Sequence, residues 1–410
     1  MQGTTPIPRP TQDSKMPAIP LMSERRVSLL GALLVAVGPV SMALYTPAMT
    51  EIVSAFGTTE SAVKLTLTLY FGGFAFAQLI AGPLSDVLGR RPVTIAFMAI
   101  YCLGSLLALL APNIGTLILA RFIQGAGASV GVATSRALVR DLFTSDQSSR
   151  IMNLIGIVLA LGPALAPTLG GLVLLVFGWR ALFVVMLLIG LGVIATIYFC
   201  LSETVIPDRK RLNFRGVGSS YLTVLGSAHF LTATGVIAGA LGAIYAQATF
   251  LPFILMNDLG FTPQQFGLAM LTQSGSFFVA SLAARSIMAH ARADRLVAPG
   301  LILAGSIGTF TLILWPPSVL HVMIPVATYA FGIAFVMPAM STAALAPFTK
   351  TAGAAAALMG FFQMGAGLLV GSMGALVGDT LVAMAVFIPL MGLGACLSYL
   401  IHLRVVKPAP

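Results

Sequence analysis

"GPLSDVLGRR", residues 82–91, carries Asp86, Arg90 and Arg91 in a chain that is only 8% charged. It sits between "LTLTLYFGGFAFAQLIA" and "VTIAFMAIYCLGSLLALLA", each close to the roughly 20 apolar residues that cross a bilayer as a helix. The stretch reads as a short loop between two membrane helices, with Gly82-Pro83 and Gly89 permitting a tight turn. The same alternation continues in both directions. The 410 residues are 58% hydrophobic, with a mean hydropathy of +0.99. A soluble domain of this length could not cover so much apolar surface. No segment alternates polar and apolar residues over about 10 positions, as a membrane β-barrel strand does. The expected fold class is an all-α integral membrane protein.

Breaking the apolar runs at charge clusters and Pro/Gly turns predicts twelve transmembrane helices. Their expected spans are 27–49, 61–84, 92–111, 114–138, 150–176 and 179–201, then 228–256, 264–288, 297–315, 319–345, 352–377 and 381–403. The first run follows Arg25-Arg26 like a signal peptide but lacks a small-residue cleavage site, so it reads as a retained helix. Gly125, Thr134-Ser135 and Ala137-Leu138 recur at an offset of 207 as Gly332, Ser341-Thr342 and Ala344-Leu345. That offset is about half the chain and predicts two pseudo-symmetric six-helix halves, the usual build of transporters with a site between the halves. The organisation is then a tail over 1–26, one half over 27–201, a linker over 202–227, the second half over 228–403 and a tail over 404–410. Within the linker, residues 216–227 are weakly apolar and are expected to form an interfacial prelude to helix 7.

Positively charged loops resist translocation, so lysine and arginine mark the cytoplasmic side. With twelve spans, all but three of the 22 basic residues fall on the face that holds both termini, the exceptions being Lys64, Arg121 and Arg180. Both termini, and the linker, are expected in the cytoplasm. The net charge of +10 lies in short clusters rather than on one continuous face, which argues against nucleic-acid binding. Cys102, Cys200 and Cys396 lie inside apolar runs without CxxC spacing and read as small core hydrophobes.

Asp86 and Arg90 are one helical turn apart and could pair with charges on neighbouring helix ends, such as Asp141 in "RALVRDLF"; a plain solvated turn is the other reading. Arg121 lies about 12 Å into helix 4 at 1.5 Å per residue. Burying arginine there costs several kcal/mol unless it faces a polar cavity or partner. Gln124 and Gly125 follow at i+3 and i+4 on its face. Arg121 is therefore expected to face a wet cleft between the halves, or else to be tied structurally to backbone carbonyls. In "LGPALAPTLGG", Gly162, Ala166 and Gly170 form one stripe with Pro163, Pro167 and Gly171 beside it. Tight packing and a seal between states would share that geometry. Tyr45, Tyr70, Tyr245, Gln247, Phe362 and Gln363 would bind an amphipathic solute where they face the cavity, and are otherwise core or lipid-facing residues.

The spacing G-x-L-x-D-x-x-G-R-R resembles the loop signature of the major facilitator superfamily. "RFIQGAGAS" from Arg121 resembles that family's helix-4 motif, and "LGPALAPTLGG" its helix-5 antiporter motif. "GWRALF", "SET" and "AGAAAALMGFFQMGAG" resemble the bicyclomycin-resistance (Bcr/CflA) branch of the drug:proton antiporters. The likeness covers roughly residues 25–403. It implies export of drugs in exchange for protons, from the inner (plasma) membrane of a bacterium, by a monomer without cofactor or metal. It also implies that Asp86, Arg90 and Asp141 form a charge latch holding the outward-facing state.

One departure bears on coupling. Helix 1 of the branch usually carries an aspartate in P-x-S-x-D-x-Y-x-P, and this chain reads "PVSMALYTP" with Ala43 at that place. The twelve acidic residues all fall away from the expected bilayer midplane. Lys64 stands where the branch commonly has glutamine, with Glu60 at i−4 as a partner. A proton carrier needs a cavity group that changes charge, and arginine does not. Three explanations stay open: a helix-end carboxylate substitutes, the exporter is uncoupled or favours anions, or the chain is a substituted antiporter. An unpaired Arg121 favours neutral or anionic solutes. No Ser–His pair, HExxH or GxxxxGK[ST] appears, so neither an enzyme nor an ATP-driven pump is expected. The expectation is a secondary multidrug exporter of amphipathic small molecules. The alternative is an exporter or facilitator of a sugar, amino acid or nucleoside on the same fold, uncoupled from protons.

Overall fold

The computed structural model describes residues 22–143, 145–205, 214–288, 300, 307–348 and 351–405. Helix α1 (Glu24–Tyr45) starts where Ser23 accepts the Arg26 N–H at 3.4 Å. Pro47 sits in a 3-10 turn, Thr46–Ala48, and the chain runs on as α2 (Met49–Phe56), so the first span extends beyond the expected 27–49. Gly57, at φ 57°, ends it in a conformation that glycine adopts without steric cost.

Helix α3 (Glu60–Leu88) corrects the reading of the opening stretch. Gly82 and Pro83 do not form the turn: both lie inside the helix, and the turn is the single residue Gly89, at φ 101°, before α4 (Arg90–Leu109). Proline lacks an N–H, so Pro83 leaves the carbonyl of Leu79 without its helical donor. The hydroxyl of Tyr221 donates to that carbonyl at 2.6 Å, which lets the helix continue. Tyr221 belongs to α9 (Phe214–Leu225), the helix where an interfacial prelude was expected.

The fourth span is α5 (Ile114–Ala128) followed by α6 (Val130–Leu142), then α7 (Ser145–Phe177) and α8 (Trp179–Cys200). After α9 come α10 (Ala228–Phe253) with a π turn at Ile254–Asp258, and α11 (Pro263–Met288). The expected span 297–315 lies partly outside the described residues, which include α12 (Ile307–Phe310) and a 3-10 turn at Thr311–Ile313. The chain closes with α13 (Val319–Leu345), α14 (Ala352–Val377) and α15 (Thr380–Val405). Ten spans among the described residues are long and apolar enough to cross a membrane.

Two cores result. One is drawn from residues 22–201 with Phe253 reaching in, the other from residues 224–399. The offset pair Gly125 and Gly332 is buried in both. The halves meet along two seams, α3 against α14 and α7 against α11. Across the first, Phe76 meets Phe361 with ring centroids 5.5 Å apart, and Phe71 of α3 meets Tyr245 of α10 at 5.0 Å. In the second, Thr168 donates to the Gly267 carbonyl at 3.0 Å.

Candidate functional site

Arg121 is fully buried, and its environment lies wholly within the first half. Gly125, one turn further along α5, lets the backbones of α5 and α3 touch: a Cβ there would collide with the Tyr70 carbonyl. That closeness lays the guanidinium between two rings, 4.3 Å from the Tyr45 centroid and 4.4 Å from that of Tyr70. A cation over an aromatic face gains about 0.5–2 kcal/mol, most when desolvated. Arg121 Nη1 donates to Gln124 Oε1, and Gln124 Nε2 donates to Ser105 Oγ at 2.8 Å.

The tyrosine hydroxyls are all committed as donors. Thr66 Oγ1 donates to Val63 O, so Tyr45 donates to Thr66 at 2.6 Å. Ser41 Oγ donates to Val37 O, so Tyr101 donates to Ser41 at 2.6 Å. Tyr70 donates to Gly38 O at 2.9 Å. Arg121 Nε and Nη2 are left buried without a hydrogen-bond acceptor. The cluster is thus a buried cation with two unmet donors, held by π faces and one amide.

The structure brings Arg121, Gln124, Tyr45 and Tyr70 together and adds Ser41, Thr66, Tyr101 and Ser105. It does not place Arg121 on an open cleft, as the sequence suggested, because the two tyrosine rings cover the faces of its guanidinium. The other expected cavity residues lie apart. Tyr245 stacks on Phe71, whose ring in turn meets Tyr70. Gln247 is buried in the second half, accepts from Gln273 Nε2 at 2.7 Å and leaves its own Nε2 unpartnered. Phe362 packs on Phe361 and the second core, and Gln363 is partly exposed on α14. Ala43 is buried, but it is two residues from both Ser41 and Tyr45, about 200° round the helix at 3.6 residues per turn. Its Cβ therefore points away from the face that meets Arg121.

A second polar cluster forms at the Asp86 end of α3. Arg90 is buried, pairs through Nη2 with Asp86, and donates from Nε to Asp141 at 3.2 Å and from Nη1 to Ser85 at 2.7 Å. Glu203, after α8, accepts the backbone N–H groups of Arg90 at 2.8 Å and Arg91 at 3.1 Å, capping α4 where Gly89 has no side chain to do so. Arg91 donates to the Tyr198 carbonyl at 2.7 Å. The expected triad is met in geometry, and Ser85 and Glu203 are its unforeseen members. Beside it lies a cavity of about 420 Å³ lined by Gly82, Asp86, Tyr221 and Thr351. Burial and the Asp86 carboxylate push the Tyr221 hydroxyl up to about 12, so it stays a donor.

In the helix-5 motif, Gly170 backs onto Leu44 and Gly171 onto Pro263, with Pro167 against Gly267. Gly162 and Pro163 lie within α7, in a stretch whose side-chain placement is outside the described detail.

Comparison with known proteins gives one family. The model of the Major Facilitator Superfamily matches residues 31–375. The chain is 32% identical over 358 residues to an uncharacterized MFS-type transporter, YdgK, of Bacillus subtilis, covering 83% of this chain and 86% of that protein. It is 31% identical to multidrug resistance protein D of Escherichia coli, over 84% of this chain and 88% of that one. A bicyclomycin resistance protein homolog of Haemophilus influenzae is 27% identical, over 82% and 85% of the two chains. A crystal structure of a bacterial homolog of the human lysosomal transporter Spinster superposes with a TM-score of 0.71 at 15% identity, covering 94% of this chain and 99% of that one. That likeness concerns the fold.

Proposed function

The chain belongs to the Major Facilitator Superfamily, and from that premise we propose that it is a secondary exporter of amphipathic small molecules, exchanged for protons. The relatives named for multidrug and bicyclomycin resistance support drugs as the cargo class. By the positive-inside rule the Asp86 end, both termini and the linker face the cytoplasm, and the bacterial relatives support an inner membrane, in which the protein acts as a monomer. The halves 27–201 and 228–403 rock against each other about the two seams.

The observation that carries the reading is Arg121, a buried cation with two donors unmet. Both rings belong to the first half, so a solute oxygen that reaches the cluster as the halves part and displaces one ring would supply the acceptors missing among the described residues. Gln247 Nε2 offers a further donor from the second half. Neutral or anionic solutes rich in carbonyl or carboxylate oxygens fit this donor set, and lipophilic cations oppose it. A second reading, an exporter or facilitator uncoupled from protons, is favoured by Ala43, which supplies no carboxyl group to helix 1.

Both readings are tested in proteoliposomes, with efflux of a neutral, an anionic and a cationic amphiphile measured with and without a pH gradient. Transport of the first two, driven by the gradient, is the expected result. Preference for the lipophilic cation overturns the Arg121 reading. Gradient dependence that appears only in Ala43→Asp assigns the given chain to the uncoupled reading.

A further inference from the structure

Helix α3 carries a second charged cluster at its other end, joined to the opposite half. Lys64 is fully buried, and its Nζ lies 3.5 Å from Glu60 Oε2 one turn earlier. The same ammonium donates to Thr380 Oγ1 at 2.5 Å and lies 5.1 Å from the Phe253 ring centroid. Thr380 in turn donates to Glu60 Oε2 at 3.1 Å, and Asn257 Nδ2 donates to Glu60 Oε1 at 2.7 Å. Thr380 begins α15, while Phe253 and Asn257 end the α10 span, so one lysine–glutamate pair of the first half fastens two helices of the second. The Arg90 cluster at the far end of α3 draws on Ser85, Asp86 and Asp141 of the first half and on Glu203 of the linker.

We propose that Lys64 is the gating cation of this transporter: with Glu60 ionised it holds the ends of the halves together, and with Glu60 protonated it drives them apart. The inference rests on the exporter reading above, under which this end faces the outside. A buried ammonium is tolerated only while a carboxylate and hydrogen bonds compensate it. Protonating Glu60 removes the compensating charge, turns an acceptor of Asn257 and Thr380 into a neutral acid, and leaves Lys64 to regain water by opening the seam. Asp258, at the end of the π turn, and Asp379, at the start of α15, add their charge to the same end without a hydrogen bond to Lys64. They modulate the response and do not carry it.

The test reads opening directly. Spin labels are placed at Ala55→Cys and Leu376→Cys, exposed positions in opposite halves, with the three native cysteines replaced by alanine. Distances are measured by double electron–electron resonance in nanodiscs at about pH 7.5 and about pH 3.5, either side of the usual glutamate value of about 4.3. The parent should show a longer-distance population that grows at the lower pH. Glu60→Gln should show that population at both pH values. Lys64→Met should lose it at both, Lys64→Arg should keep the pH response, and the double variant Glu60→Gln/Lys64→Met should close again. Asp258→Asn and Asp379→Asn should retain the response. Glu60→Gln distances unchanged from the parent, or a full pH response in Lys64→Met, overturn the proposal. A response lost in either aspartate variant moves the switch off Glu60. Efflux by the same proteins is read separately: transport with an unaltered gate response in Glu60→Gln sinks only the gate, and no transport by the parent sinks the exporter reading.

Discussion

Arg121 meets two aromatic faces and one amide oxygen, and among the described residues no carboxylate joins its cluster. A buried charge compensated this thinly is a stability liability, and replacing such groups with apolar residues of similar volume often stabilises by about 1–4 kcal/mol. Arg121→Met is therefore expected to raise the thermal unfolding midpoint while abolishing efflux. A variant that loses both would make the arginine structural. Tyr70 separates ring from hydroxyl. Tyr70→Phe gives up one hydrogen bond, worth about 1 kcal/mol, and should leave efflux intact. Tyr70→Leu uncovers one guanidinium face and should reduce both stability and efflux. The sequence pointed to Arg121 because charge deep in an apolar run is costly, and to Gln124 because it follows at i+3. Ser41, Thr66, Tyr101 and Ser105 were not legible. A hydroxyl inside an apolar run looks like any small polar residue until another helix supplies its partner, and Ser41 and Tyr101 are 60 positions apart.

Pro83 and Tyr221 form a coupled pair between elements, since the carbonyl of Leu79 is orphaned by one and satisfied by the other. Tyr221→Phe leaves that carbonyl unsatisfied at a cost of about 1–3 kcal/mol. Pro83→Ala restores the helical donor, so the same tyrosine change should cost little in that background. A double-mutant cycle of thermal unfolding measures the coupling, and additive effects would refute it. The pH sign follows from the raised hydroxyl: its contribution holds below the usual tyrosine value of about 10 and is lost as pH rises through about 12. The residues around this pair show how far local sequence carries. Length and hydropathy placed most helices, and the family-like spacing placed the Asp86–Arg90–Asp141 cluster. Gly82-Pro83 read as a turn because proline usually interrupts a helix. A distant tyrosine that repairs the break is a tertiary fact. Glu203 was quoted only within "SET", with nothing local to show that it caps α4.

At the scale of the whole molecule, the repeat at an offset of 207 and the one-sided distribution of basic residues made two halves legible. The seams were not, because small residues suit a seam, a helix contact within one half and a lipid face equally well. The α7–α11 seam depends on such residues being truly small. A Cβ on Gly171 would collide with the Pro263 carbonyl, and one on Gly267 with the backbone at Thr168. Both obstacles are backbone, so neither can swing aside as a side-chain tip would, and overpacking of this kind costs about 1–3 kcal/mol. The seam can relieve it by separating, because no covalent link holds α7 to α11. Gly171→Ala and Gly267→Ala should each lengthen the distance between spin labels at Val176→Cys and Leu268→Cys, both exposed positions on the two helices. Gly192→Ala, where a Cβ meets only open space, should leave that distance unchanged. Equal distances in all three would mean that the halves are not held at this seam by backbone contact, and the helix-5 glycines would then serve packing within one half alone.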